Sequence, residues 1–186
     1  MHADWIDLFK LLNKHGVRYL VIGGNAVAYH GFERLTKDID IWLSPDKKNA
    51  KKAYTASKEF GVLPSAVNQK DFEGPDNFIV MGAEPYRIDL IMGPPGLDFE
   101  TAYKNRVIDV RGDVKISYVS RDDLITLKQA SNRFVDERDV RMLKVGKKID
   151  AKDQKAAKKK SSKKAAPSAK RTTSKKQGSK KSKKKK

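Results

Sequence analysis

"VIGGNAVAYHGFERLTKDIDIWL", residues 21–43, decides how the rest of the chain reads. An apolar run ends in the pair Gly23-Gly24, and a brief alanine-rich piece follows. A basic, hydroxyl-bearing turn then leads into Asp38 and Asp40, each followed by an isoleucine. Residues i and i+2 of a strand share a face. Asp38 and Asp40 therefore project together, while Ile39 and Ile41 turn the other way into a core. Two carboxylates about 4 Å apart repel by about 4 kcal/mol at an effective dielectric of about 20. Protonation of one acid, full solvation on an exposed edge strand, or a hard divalent cation between them would each offset that. Carboxylate oxygens alone suit Mg2+, with Mn2+ as the alternative.

Working outward, "VRYLVIGG" reads as a short buried strand and "DIDIWL" as a second. Upstream, Asp4 is placed to cap a helix whose apolar residues Trp5, Leu8, Phe9, Leu11 and Leu12 share one side, with Gly16 ending it. "NAVAYHG" makes two helical turns closed by Gly31, and Ser44-Pro45 opens a helix over residues 46–60 with proline in its first turn. Residues 61–76 are rich in Gly, Pro, Asn and Asp and carry no periodic element. "NFIVMG" and "YRIDLIMG" read as consecutive strands, and "GPPG" separates them from a helix over "LDFETAYKNR". "VIDVRGDVKISYV" is a strand pair turning at Gly112-Asp113. Ser120 with Asp123 has the form of a capping box opening a helix to Ser131, and a last helix covers residues 136–144. Crossovers early and a hairpin late give an α/β (α+β) fold, a mixed sheet flanked by helices.

The charge is unevenly spread. Residues 1–146 carry 22 Lys and Arg against 21 Asp and Glu, whereas residues 147–186 carry 19 against two. From Ala151 onward there is no Leu, Ile, Val, Phe, Tyr, Trp or Met, so nothing offsets the entropy cost of ordering that stretch. The reading is a domain over 1–146 and a disordered lysine-rich tail over 147–186. Such a tail binds RNA or another polyanion through counterion release, with little sequence preference. The chain has no cysteine and hence no disulfide or thiolate metal site. No apolar run approaches the ~18 residues of a membrane span, and the N-terminus lacks a signal-peptide pattern. The expected location is cytoplasmic, with the nucleoid or the ribosome as partners of the tail.

Two further features point to chemistry. Gly23-Gly24 falls where a strand meets a helix, which permits close backbone approach to phosphate, but neither a Walker pattern nor Gly-x-Gly-x-x-Gly is present. Asp89 stands alone among the apolar residues of "YRIDLIM", a costly place unless it is paired or bound. Arg87 is its nearest candidate partner, but neighbours two apart on a strand seldom pair well, so a functional role is favoured.

A glycine pair, thirteen intervening residues, Asp-x-Asp, and a later apolar strand with one aspartate together resemble the DNA polymerase β-like nucleotidyltransferase superfamily. Gly23, Gly24, Ala26, Val27, His30, Gly31, Arg34, Thr36, Asp38 and Asp40 are similar to the hallmark of its small bacterial AbiE-type and minimal members. Lys128, Arg133, Asp136 and Asp139 match those relatives' C-terminal pattern. The resemblance implies that Asp38, Asp40 and Asp89 hold Mg2+, and that Asp89 is placed to take the acceptor's proton. Gly23, Gly24 and the Asn25 backbone would contact the phosphates of a nucleoside triphosphate, with Arg34, Thr36, Lys37 and Lys128 as further contacts. Surface placement for Arg34 and pairing with an acid for Lys128 stay open. Asp136 reads as a helix cap, Asp139 with Arg133 as a structural ion pair, and His30 as local packing. The implied activity is transfer of a nucleoside monophosphate from a nucleoside triphosphate to RNA, tRNA included, or to protein, in a toxin-like setting. Two other readings compete: an antitoxin or regulatory module that keeps the fold and binds a cognate partner, and a polyanion binder acting through its tail.

Overall fold

The computed structural model describes residues 1–146; the lysine-rich stretch, and with it the expectation of a disordered tail, lies outside the described residues. Six strands form one mixed sheet: β1 (Tyr19–Val21), β2 (Asp38–Leu43), β3 (Phe78–Met81), β4 (Arg87–Ile91), β5 (Val107–Arg111) and β6 (Val114–Tyr118). Their spatial order is β3-β4-β2-β1-β6-β5. β2 runs parallel to β4 and β1 parallel to β6, while the other neighbours are antiparallel. The helices are α1 (Ala3–Lys14), α2 (Gly23–Tyr29), α3 (Lys47–Glu59), α4 (Phe99–Lys104), α5 (Arg121–Ser131) and α6 over residues 134–146. The mixed sheet flanked by helices is the expected fold class.

Trp5, Leu8, Phe9 and Leu12 are the buried side of α1, at i, i+3, i+4 and i+7, each side chain contributing roughly 2 kcal/mol by leaving water. Ile39 and Ile41 are fully buried, as the alternation in β2 demands. On the opposite face of β2, Trp42 packs edge-on against Phe99 with ring centres 5.2 Å apart, and its indole N–H donates to the Met92 carbonyl at 3.2 Å. One end of that face is therefore sealed by α4. The other end carries Asp38 and Asp40.

Several local boundaries differ from the sequence reading. His2, not Asp4, caps α1: its ring Nδ1 accepts from the Asp4 N–H at 3.3 Å, which puts Asp4 inside the first turn. Asp46 caps α3 by accepting from the Lys48 and Asn49 N–H groups, so Pro45 precedes the cap rather than filling the first turn. α2 begins at Gly23 itself, not after the glycine pair. Residues 61–76 hold a short 3-10 turn, Gln69–Phe72, fastened by a capping box between Asn68 and Asp71. α6 is longer than expected at both ends. Ser120 does cap α5, accepting from the Asp123 N–H at 3.2 Å.

Candidate active site

The parallel register of β2 and β4 builds the site. Asp38 lies opposite Arg87 and Asp40 opposite Asp89, so all four side chains stand on one face of two adjacent strands. Arg87 is the correction to the sequence reading: it pairs with Asp89 through both its Nε and Nη2, each at 2.9 Å, and its Nη2 also reaches Asp38 Oδ2 at 2.9 Å. The same-face rule that aligns the aspartates also aligns Arg87 with Asp89, and the register adds Asp38. A planar guanidinium spans both carboxylates where a compact ammonium could not.

Asp38 is held from three sides. Thr36 Oγ1 donates to Asp38 Oδ1 at 2.6 Å, Asn25 Nδ2 donates to the Asp38 carbonyl at 2.7 Å, and Arg87 takes the other carboxylate oxygen. Asp40 is the opposite case. No hydrogen bond or ion pair from the described residues reaches its carboxylate. Burial first, and then the charges of Asp38 and Asp89, push its carboxyl up to about 6 against a weaker opposing pull from Arg133 and Lys128. Gly23 explains how Asp40 fits. Its φ is +63°, and a Cβ there would stand 1.8 Å from Asp40 Oδ2, so the carboxylate rests directly on bare backbone. Gly24 has a milder constraint, since its Cβ would meet Thr36 at 3.1 Å.

Asp40, Asp89 (4 % exposed) and Gly23 line a cavity of about 450 Å3, together with Lys128, Ser131 and Arg133. Lys128 is 6 % exposed and bound on its other side. Its Nζ lies 2.7 Å from Asp136 Oδ1 and 2.8 Å from Asp139 Oδ2, tying α5 to α6. Arg133 Nε donates to Asp136 Oδ2 at 2.7 Å, and Ser131 Oγ also donates to Asp136. Burial raises the Asp136 carboxyl, but the hydrogen bonds from Arg133, Lys128 and Ser131 outweigh it and hold the group at about 2. The expected Arg133–Asp139 pair is therefore exchanged for Arg133–Asp136. Asp136, within the first turn of α6, is a clasp to α5 rather than a cap, and Asp139, one turn on, faces Lys128 and Arg34.

The remaining predicted contacts are placed elsewhere. Arg34 Nε lies 3.5 Å from Asp139 Oδ1, and Arg34 lines a separate cavity of about 700 Å3 with Leu35, Val135 and Arg138. Lys37 makes an exposed pair with Glu84 at 3.1 Å. His30 packs at the end of α2, its Nε2 donating to the Val119 carbonyl at 3.0 Å, and burial lowers its pKa. Tyr19 and Trp42 are core residues and Phe32 packs against the core, whereas Tyr86 is half exposed and stacks on His2 at 3.6 Å.

The donor chemistry fits a hard divalent cation: three carboxylates share one face of β2 and β4, two of them lining the cavity, and no ion pair from the described residues reaches Asp40. Among the described residues no three His, Cys, Asp or Glu side chains already converge as a metal cage. Arg87 is paired with both Asp38 and Asp89.

The chain belongs to the family described as nucleotidyltransferase of unknown function (DUF6036), whose model matches residues 5–183. Nucleotidyltransferase is thus the enzyme class of this protein. No curated protein matches the chain. Among solved structures it is similar to the lincosamide antibiotic adenylyltransferase LnuA, bound to lincomycin, at 15% identity and a TM-score of 0.48 over 77% of this chain and 96% of that one. It is also similar to an antigenic nucleotidyltransferase-like protein from Paracoccidioides brasiliensis, at 17% identity and a TM-score of 0.45 over 75% of this chain and 73% of that one. No helix among the described residues is long and apolar enough to cross a membrane.

Proposed function

We propose that the protein transfers a nucleoside monophosphate from a nucleoside triphosphate to a hydroxyl on RNA or protein, with Mg2+, or Mn2+ in its place, held by Asp38, Asp40 and Asp89. The observation that carries this is the in-register placement of Asp40 beside Asp89, with Gly23 left bare beneath the Asp40 carboxylate. Divalent ions there would supply charge stabilisation for the attacking and leaving oxygens. The chain's own groups do the rest. The backbone of Gly23, Gly24 and Asn25 receives the outer phosphates, and Arg133 and Lys128 set positive charge on the same side as Asp40. Thr36 and Asn25 fix Asp38. Asp89 takes the proton of the acceptor hydroxyl as its oxygen bonds to the α-phosphorus and the bond to the departing pyrophosphate breaks. Arg87 must release Asp38 and Asp89 for this arrangement to form. Until then it neutralises part of the cluster.

Residues 1–146 form the transferase domain in this reading. The lysine-rich residues 147–186 act as a polyanion tether that concentrates nucleic acid near the site. The cell compartment is the cytoplasm, at the nucleoid or the ribosome. The full chain, incubated with each α-labelled nucleoside triphosphate, Mg2+ and total RNA, is expected to label RNA or protein, and an Asp38→Asn/Asp40→Asn variant is expected to label neither. Absence of label from the wild type would leave Arg87 as a permanent plug. The protein would then be a regulatory or antitoxin-like module that binds a cognate partner, or a polyanion binder.

A further inference from the structure

The cavity over Asp40 and Asp89 is lined by charged and apolar residues together. Gly23, Lys128 and Arg133 belong to the Asp40 side, the two cations near enough to pull its pKa down. Phe78, Ile91, Pro94 and Pro95 line the cavity along β3, β4 and the turn after β4, and Ile22, Leu124 and Leu127 complete its apolar lining. Phe78 and Val80 lie on β3, the edge strand, paired across from Ile91 and Asp89 respectively, so both share the carboxylates' face. They are 54 % and 50 % exposed, and the Phe78 ring stacks on no other aromatic among the described residues. A half-exposed aromatic ring thus stands one strand beyond β4, diagonal to Asp89, on the side away from Asp38 and Asp40.

We propose that Phe78 is the platform on which the terminal nucleobase of the acceptor stacks, so that the acceptor is the end of an RNA strand. This rests on the nucleotidyl-transfer reading above. In-line displacement puts the attacking and leaving oxygens on opposite sides of phosphorus. Pyrophosphate departs toward Gly23 and the cations, so the hydroxyl arrives from the β3 side, past Asp89, where Phe78 and Val80 are the first surface it meets. A serine or threonine hydroxyl has no ring to lay on a flat, half-exposed phenyl, and a tyrosine would offer a smaller one than a nucleobase. Base–aromatic stacking strengthens binding by about ten-fold or more. The strand that carries the base is a polyanion, matching the 19 basic residues of 147–186.

The test uses the full chain and a short RNA with 2-aminopurine at its 3′ end. Binding is expected to change the terminal base's fluorescence with wild type and Phe78→Trp but not with Phe78→Ala. The same probe base placed internally, where only the lysine-rich stretch would hold the strand, should respond equally to all three. In transfer assays wild type should prefer RNA ending in adenosine over RNA ending in an abasic ribose by about ten-fold. Phe78→Ala should lose that preference with the KM for nucleoside triphosphate unchanged. An unchanged terminal signal in Phe78→Ala, or no terminal signal from wild type, overturns the proposal. So does a raised KM for the triphosphate alone, which would give Phe78 to the donor base, or label found only on protein or a small molecule. Failure of the transferase reading shows separately, as no label from wild type, while the fluorescence still decides the role of Phe78.

Discussion

Two ionic clusters lie a few side chains apart and are built on opposite terms. In the β2–β4 cluster Arg87 pairs with Asp38 and Asp89 alone, and Asp40 is left with its pKa pushed up to about 6. In the α5–α6 cluster two carboxylates, Asp136 and Asp139, draw on Lys128, Arg133 and Arg34, and Asp136 is held at about 2. The second is electrostatically complete and fastens two helices. The first is short of positive charge, a state that the fold tolerates but does not relieve. Unrelieved charge in a cleft is what a ligand can satisfy, and that difference separates a candidate site from a brace.

The largest effect that would sharpen the contrast is on chemistry. Asp40→Asn is expected to lower nucleotidyl transfer by about a thousand-fold or more, roughly 4 kcal/mol of barrier, with thermal stability kept or raised. A labelled-nucleotide assay beside a melting curve reads both, and an active variant would return the cluster to a structural role. Next is the brace. Lys128→Met leaves two buried carboxylates short of their shared cation and should cost about 3–5 kcal/mol in urea unfolding. A loss below about 1 kcal/mol would mean that α6 is held by its apolar contacts instead.

The pH signatures should be opposite in sign. With chelator present, the raised Asp40 keeps its proton in the folded state above the unfolded value of 3.8, so its contribution to stability falls as pH rises from about 4 to about 6. The lowered Asp136 behaves conversely: its contribution is complete above about 4 and is lost as pH falls toward 2. Melting temperature measured against pH for wild type, Asp40→Asn and Asp136→Asn isolates each window by difference. The same sign in both windows would break the comparison. The smallest expected effect concerns Arg87. Arg87→Ala should melt lower than wild type in chelator, yet gain about 2–4 °C more on adding Mg2+, because the cation no longer competes with the guanidinium.

The sequence made β2 legible to the residue, since Asp-Ile-Asp-Ile can satisfy its alternation only as a strand with one buried face. It also exposed the three carboxylates, because charge inside an apolar run is itself a signal. Arg87 stands in the sequence as a candidate partner of Asp89 and was wrongly set aside, and its second partner was missed for a specific reason. Its pairing with Asp38 depends on the register between strands 49 residues apart, which no local pattern encodes. Lys128 reaches Asp136 and Asp139 from α5, which no spacing along α6 encodes, whereas the Arg133–Asp136 pair is an i, i+3 neighbour that spacing alone could have named. Phe78 looked like an ordinary strand residue until β3 proved to be the sheet edge. His2 as a helix cap had a weak local signal, a polar side chain one residue before the helix.

The carboxylates also sit on an interior hydrogen-bonded ladder, with β2 flanked by β1 and β4, and β4 flanked by β2 and β3. Backbone amides at such positions exchange with solvent deuterium only when large parts of the sheet come apart. The amides of Asp40 and Asp89 should therefore be among the slowest in the protein to exchange, slower than those of the edge strands β3 and β5. Partial unfolding that frees an edge or the α5–α6 pair would leave the carboxylate geometry standing, so the capacity to bind ions should outlast the capacity to position an acceptor as the protein is heated.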